Sequence, residues 1–202
     1  MPRMSRVTIA LASLLCSSVC GTSLADPPEA SASEQQPLIS DIAEAPNPLL
    51  SPTLPAGWVK RQTQPLPAAD HGFTVAYQHE SGLVVTFYQY TRGLVSIPED
   101  VGSAPVRDEM RYAKQGIKQV VQLGHWQDAK HLKTEVVQLG DSQQQALWAK
   151  YKLMVDGMAL DSEIYIWTRD NTLFKVRSTN PSETKEASRS ILKPLLTTFG
   201  TR

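Results

Sequence analysis

Three consecutive segments between residues 146 and 178 alternate apolar and polar side chains with a period of two. They are ALWAKYKLMV (146–155), ALDSEIYIWT (159–168) and TLFKVRS (172–178), and short turns at Asp156-Gly157 and at RDN separate them. This period, with turns this short, predicts strands that pair with their neighbours in an antiparallel sheet. A further strand, HLKTEVVQL (131–139), is predicted before them. The chain is therefore expected to fold around an antiparallel meander of about four strands.

A hairpin and a long helix are predicted before this meander. The segment GFTVAYQHESGLVVTFYQYTRG (72–93) alternates with a period of two on both sides of HESG, which is typical of a β-hairpin. Residues 104–123 change to a period near 3.6 and predict a helix with one apolar side. Ser103 stands where it would cap this helix, and Gly124 where it would stop it.

The C-terminal segment predicts a second helix. Asn180, Pro181 and Glu183 are spaced as an N-cap, a first helical residue and the acid of a capping box. The helix is expected to end at Gly200, and Pro194 is expected to kink or interrupt it.

These elements together define a fold class. We expect an α+β fold with an antiparallel sheet of about six strands, a long helix after the first hairpin and a C-terminal helix. Over about residues 55–200, this order of elements resembles the PsbP-like α/β/α sandwich, a family that includes exported bacterial proteins. The resemblance implies a module that binds protein partners and performs no catalysis. It is carried by the order of elements alone, so it assigns no functional residue.

The first 25 residues have the features of a signal peptide. Arg3 and Arg6 precede an apolar run over residues 7–16, and Ser23 and Ala25 are the small residues before a cleavage site. We expect cleavage after Ala25 and a periplasmic or secreted protein. The apolar run is shorter than the roughly 18–20 residues of a membrane span, so we expect no transmembrane anchor.

The cysteines bear on both compartment and cofactor. Cys16 and Cys20 are the chain's two cysteines, and both lie in the predicted signal peptide. Neither follows the small residue that a lipid anchor would need, and no partner ligands for zinc lie nearby. The mature chain is expected to lack cysteine, and the sequence predicts no metal and no other cofactor.

Residues 26–57 form an acidic, proline-rich stretch. They contain five acids, no base and seven of the chain's fourteen prolines. This composition is typical of a disordered or extended tether. A single domain over residues 58–202 then carries 18 basic against 15 acidic residues. A balance so close to neutral does not favour nucleic-acid binding.

Strand alternation predicts a partner-binding surface. If side chains alternate between the two sheet faces along the three strands 146–155, 159–168 and 172–178, one face collects aromatic and charged side chains. We expect side chains of the hairpin to extend this face. Aromatic and arginine side chains are favoured anchors in protein interfaces. The alternative is a charged ladder on the sheet, or a second core under a helix. The predicted surface consists of Trp148, Tyr165, Trp167, Lys175 and Arg177, with Tyr88, Tyr90 and Arg92 from the hairpin.

The long helix carries a second pattern. Arg107, Arg111, Lys114 and Lys118 follow one another at spacings of four, three and four residues, which places them on one stripe. A solvated helix face is the ordinary interpretation. The alternatives are contact with an acidic partner, with anionic head groups, or with the chain's own acidic tether.

The sequence indicates binding and predicts no catalytic residue. It contains no G-x-S-x-G elbow, no set of S-x-x-K with S-D-N and K-T-G, no H-E-x-x-H pair and no glycine-rich phosphate loop. We therefore expect an exported module that docks a protein partner of the cell envelope. One alternative is a carrier that holds a small apolar ligand in an internal pocket. Another is an unrecognised hydrolase, which would need histidine and acidic side chains that converge.

Overall fold

The computed structural model describes residues 53–66 and 72–201. The predicted signal peptide and residues 26–52 of the predicted tether lie outside the described residues. The helices and strands, in chain order, are β1 (Trp58–Pro65), β2 (Gly72–His79), β3 (Val84–Tyr90), α1 (Ala104–Gln122), β4 (Asp128–Gln138), β5 (Gln145–Val155), β6 (Met158–Arg169), β7 (Thr172–Pro181), a short 3₁₀ helix (Ser182–Thr184) and α2 (Lys185–Gly200).

Seven strands of the described chain form an antiparallel sheet in the order β1-β2-β3-β7-β6-β5-β4. Helix α1 packs against β4, β5 and β6 on one face of this sheet. Helix α2 packs on the opposite face. The result is an α/β/α sandwich, and we call the two sides of its sheet the α1 face and the α2 face.

Both faces of the sheet are buried against a helix. On the α1 face, Met110 and Ile117 of α1 pack on Ile164 and Ile166 of β6. The α2 face carries a cluster richer in aromatic residues, in which α2 packs on the strands of both halves of the sheet. Its largest members with almost no exposed surface are Tyr77, Phe87, Trp167, Phe174 and Phe199.

Two tight turns set the register of the meander. Asp156 and Gly157 have φ values of 50° and 75°, and Asp170 and Asn171 have values of 48° and 55°. Two successive residues with positive φ form a type I′ turn, the two-residue connection that suits antiparallel strands. Asp and Asn tolerate this conformation better than other residues with a side chain. The predicted strands β5, β6 and β7 are confirmed, with ends that differ by at most three residues.

The sheet has one more strand in the described residues than the six or so that were predicted. The additional strand is β1, at the edge beside β2. Only Trp58 of its eight residues is buried, and it ends at Pro65. An edge strand that faces solvent has no apolar alternation to signal it, and proline is tolerated there. Just before β1, Leu54 of the predicted tether packs against the α2-face core.

The predicted start of the C-terminal helix is wrong. Asn180 and Pro181 belong to β7, where they pair with Asp161 and Leu160 of β6. The chain then forms the short 3₁₀ helix, and α2 begins at Lys185 with Thr184 at the N-cap position. Pairing with β6 extends the strand as far as the proline, which is tolerated because the last residue of an antiparallel ladder needs no donor toward solvent. Pro194 lies inside α2, which continues to Gly200.

Candidate partner-binding surface

The predicted aromatic and charged surface does not exist as one face. The turn at Asp170-Asn171 pairs Arg169 with Thr172, and this register places Phe174 opposite Trp167. Residues directly opposite each other share a sheet face. The α2 face therefore carries Trp148, Tyr165 and Trp167, together with Phe174 and Val176. The α1 face carries Lys175 and Arg177, together with Tyr88 and Tyr90. Arg92 follows β3 and contacts Glu109 of α1 on the same side.

The three aromatic residues on the α2 face are core residues. Trp148 is 4% exposed, Tyr165 8% and Trp167 0%. The ring of Trp167 stacks on Phe174 with centroids 5.4 Å apart. The hydroxyl of Tyr165 donates to Glu163 Oε2 at 2.6 Å, and burial raises the pKa of this tyrosine. These side chains are covered, so they offer no surface to a partner.

A charged cluster continues this face next to the aromatic residues. Lys150 Nζ lies 3.3 Å from Asp161 Oδ2 and 3.7 Å from Glu163 Oε1, and all three side chains are almost fully buried. Ser182 donates to Asp161 Oδ1 at 3.0 Å, and Arg189 Nη2 approaches Glu163 Oε1 at 3.5 Å from α2. This is the charged ladder of the alternative interpretation. It ties β5 and β6 to the start of α2.

On the α1 face, the predicted residues gather around a carboxylate that the sequence analysis did not select. Glu109 of α1 is 1% exposed. Its Oε2 accepts a hydrogen bond from Arg92 Nε at 2.7 Å, and its Oε1 accepts one from Lys175 Nζ at 2.8 Å. Lys175 also lies over the rings of Tyr88 and Tyr90, 4.4 Å and 5.3 Å from their centroids. We call these five residues the Glu109 cluster.

The charge of Glu109 is stabilised by its partners. Burial alone would raise the pKa of this carboxyl, because it removes the charged form from water. The positive charges of Lys175 and Arg92 outweigh that effect, and the pKa of Glu109 is lowered. The cluster therefore holds a carboxylate at neutral pH. Each of its two oxygens accepts a hydrogen bond from a cation, so it connects α1 to the sheet.

Arg177 lies further along the α1 face with its guanidinium over the ring of Trp126, 5.0 Å from the centroid. Its Nε and Nη2 are buried without a hydrogen-bond partner among the described residues. Burial lowers the pKa of this arginine. Stacking on an indole stabilises the cation without satisfying its N–H groups.

The predicted basic stripe borders a groove between α1 and β4. The groove has a volume of about 450 Å³, and Met110 and Leu147 lie at its base. Lys114 Nζ donates to Thr134 Oγ1 of β4 at 2.9 Å, and Arg111 pairs with Asp108 at 3.0 Å. Partial burial and the charge of Lys114 lower the pKa of His131 next to it. The residues that line the groove are Arg107, Met110, Arg111, Lys114, Thr134 and Leu147, and we call it the α1–β4 groove.

Two observations in the described residues bear on the alternative functions, a carrier of an apolar ligand and a hydrolase. A larger cleft of about 670 Å³ opens at the surface and is lined mainly by polar residues such as Glu99, Asp100 and Arg169, unlike the enclosed apolar pocket of a carrier. His79 contacts Ser81, and His131 contacts Thr134, but neither is paired with an acid there. The described part of the chain holds no group of three potential metal ligands. None of its helices is both long and apolar enough to cross a membrane.

Several residues of these surfaces were missed by the sequence analysis as site residues. Glu109 follows the buried Val106 by three residues, so it falls on the apolar side of the helix. An acid in that position signals a buried ion pair, because an isolated buried charge is too costly. Tyr112 and Trp126 stack on Arg92 and Arg177, but the period of the sequence gave no sign of these long-range contacts.

Comparison with protein-family models and with curated proteins gives no match. The chain is similar to the solution structure of cyanobacterial PsbP (CyanoP) from Synechocystis sp. PCC 6803, with 13% identity and a TM-score of 0.47 over 69% of this chain and 78% of that one. It is also similar to PA94 of Pseudomonas aeruginosa, a protein of unknown function described as a putative regulator, with 14% identity and a TM-score of 0.38 over 74% and 89% of the two chains.

A further solved structure is LpqN of Mycobacterium tuberculosis, which is involved in cell envelope biogenesis. It has 9% identity and a TM-score of 0.38, over 71% of this chain and 79% of that one. One of these three solved structures is a cyanobacterial PsbP, and the order of elements resembles the PsbP-like family. The similarity concerns the fold, and it assigns no partner or site to this chain.

Proposed function

We propose that this protein is an exported binding module that performs no catalysis and holds an acidic segment of a cell-envelope protein in the α1–β4 groove. One observation carries the proposal: Arg107, Arg111 and Lys114 border a groove whose base is apolar. An extended segment with alternating acidic and apolar side chains matches that pattern, because its two sets of side chains point to opposite sides.

The charges around the groove support an acidic occupant. Asp108 is paired with Arg111, and Glu109 is buried and already bonded to two cations. Arg107 and Lys118 are exposed, and Lys114 is half-buried. The rim thus keeps a net positive charge, which favours encounter with an acidic partner and disfavours a basic one.

The first test is charge reversal at the groove. We expect the variant R107E/K114E to bind a fluorescent peptide of alternating glutamate and leucine at least about tenfold more weakly than the wild type, because two attractive charges become repulsive. Fluorescence anisotropy measures the affinity. Binding by the wild type should weaken with added salt, since exposed charges are screened.

The matched control is R61E/K193E, which changes the net charge equally at two exposed positions outside the groove. An equal loss of binding in this control would show that only total charge matters and would contradict the proposal. So would equal binding of a peptide in which glutamine replaces glutamate. A chain without residues 26–52 distinguishes the occupants: a large gain in peptide affinity would identify the chain's own acidic segment as the occupant.

Export is tested separately. We expect the mature protein, recovered from the periplasm or medium of a bacterial host, to begin at Asp26, because Ser23 and Ala25 precede that position as a cleavage site requires. N-terminal sequencing and intact mass measure this. Recovery of a cytosolic chain that retains Cys16 and Cys20 would contradict export, without affecting the expected binding at the groove.

A further inference from the structure

Strand β4 offers an unpaired backbone edge. It ends the described sheet, and among the described strands it is hydrogen-bonded to β5 on one side only. At the turn into β5, the Leu139 N–H donates to the Gln144 carbonyl at 2.8 Å. Backbone groups alternate in direction along an antiparallel pair. Those of Thr134 and Val136 therefore point away from β5, toward the open edge.

The sequence around Thr134 is complementary to itself. If two β4 strands lie antiparallel with Thr134 opposite Thr134, then Lys133 of one copy faces Glu135 of the other. This contact occurs twice by symmetry. Leu132 and Val136 flank this segment with side chains 41% and 49% exposed, although Leu132 lies at the register shift of β4. Opposite charges and apolar residues in directly opposed positions are the pairs that stabilise a sheet.

The other edge of the sheet lacks this property. Strand β1 carries Lys60 and Arg61 with no acid, and it ends at Pro65. Two β1 strands paired antiparallel would have no carboxylate to face these cations. Of the two edges in the described sheet, only β4 matches itself in charge.

We infer that the β4 edge binds a second copy of this chain, forming a two-fold symmetric dimer in which the β4 strands pair antiparallel about Thr134. The two sheets then continue as one across the dimer. A dimer of this type uses the same surface on both copies, so each favourable pair occurs twice. Thr134 and Lys114 also line the α1–β4 groove, but this inference does not rest on the proposed function, because it is argued from the backbone edge of β4 and from the charges of Lys133 and Glu135.

Two features oppose the dimer and are outweighed. The register of β4 shifts between His131 and Lys133, and such bulges often protect edge strands from pairing. Here the shift lies at the end of the matching segment, so Lys133, Thr134 and Glu135 remain regular. The two Lys114 side chains approach the dyad on the α1 face and repel each other. On the α2 face Lys133 and Glu135 already pair within each chain at 2.7 Å, and the contacts across the dyad extend these two pairs into a network of four charges that offsets the repulsion.

The test uses two variants that we expect not to dimerise alone but to dimerise with each other. K133E places glutamate opposite glutamate, and E135K places lysine opposite lysine, so we expect each purified variant to run as a monomer in size-exclusion chromatography with light scattering. An equimolar mixture should dimerise like the wild type, because each new glutamate then faces a new lysine. We expect each single change to weaken dimerisation at least about tenfold.

The mixture separates dimerisation from folding. Damage to the fold of either variant could not be repaired by adding the other, and circular dichroism of each variant reports its fold directly. A wild type that stays monomeric at all concentrations would overturn the inference. A mixture that behaves as the sum of its two components would overturn it as well.

A disulfide provides a second measurement. Opposed residues in a hydrogen-bonded pair have Cα atoms about 5.5 Å apart, within the range that a disulfide spans. In a chain with Cys16 and Cys20 replaced by serine, T134C should form a disulfide-linked dimer under mild oxidation, whereas T63C on β1 should not. Equal crosslinking of the two variants, or none in T134C, would overturn the assignment to β4.

Discussion

Replacing Trp167 with alanine is expected to lower the free energy of unfolding by about 3–5 kcal/mol, the usual cost of removing a large aromatic side chain from a core. Trp167 is 0% exposed and packs between Phe174 and Phe87, with ring centroids 5.4 Å and 6.3 Å away. Helix α2 covers this cluster and cannot collapse into the space of an indole without unpacking from the sheet. Urea unfolding followed by circular dichroism measures the change.

Two controls give this result its meaning. Tyr112→Ala removes an aromatic side chain that is 47% exposed, so we expect a loss of less than about 1 kcal/mol. Trp167→Phe keeps an aromatic ring in the stack and should cost clearly less than alanine. Nearly unchanged stability of Trp167→Ala would return this residue to the surface and restore the docking face that strand alternation predicted.

Sequence alternation predicts the strands of this protein better than it predicts which face each side chain occupies. In β5 and β6 it placed Trp148 and Tyr165 together, and the structure pairs them. In β7 it put Lys175 and Arg177 on the face of Trp167, which is wrong, because both sheet faces are buried and apolar residues occur on each. The length of the turn held the missing information, since two residues between strands fix the register. Counting across Asp170-Asn171 would have paired Phe174 with Trp167.

Elements that end at surfaces were harder to predict than elements in the core. The edge strand β1 exposes most of its side chains, so hydrophobic periodicity gives no signal for it. Near residue 180 a capping-box pattern competed with strand pairing. The pairing prevailed because β6 extends far enough to hold Asn180 and Pro181 in the sheet. Local sequence carries no information about the length of a distant partner strand.

The sites depend on contacts between residues distant in sequence, and this limits their prediction. The basic stripe was visible in the helix, but the groove beside it also needs Thr134 of β4, whose Oγ1 lies 2.9 Å from Lys114 Nζ, and Leu147 of β5. Similarly, Lys175 was predicted as a surface residue. Its partner Glu109 comes from a helix that no pattern in β7 could indicate.

Glu109→Gln is expected to destabilise the fold by about 3 kcal/mol, near the lower end of the cost of breaking a buried ion pair. The change keeps the shape of the side chain but removes the negative charge that Lys175 and Arg92 share. Arg92, with a side chain 34% exposed, can turn partly to water, whereas Lys175 is only 16% exposed. The matched control is Asp141→Asn, which breaks a surface pair with Lys193 at 2.7 Å. That change should cost at most about 1 kcal/mol.

The pH dependence of the same variant gives a second, independent signature. The pKa of Glu109 lies below its ordinary value of 4.5 in the folded protein. Its contribution to stability is therefore fully present at a pH above the pKa of the unfolded state. This contribution is lost as the pH falls through the pKa that Glu109 has in the folded state. The difference in unfolding free energy between wild type and Glu109→Gln should therefore be largest at neutral pH and should shrink below about pH 4.5. Denaturant unfolding of both proteins across this range measures it. A constant difference at every pH would mean that Glu109 stabilises the α1 face by its shape and hydrogen bonds, and that its charge contributes little.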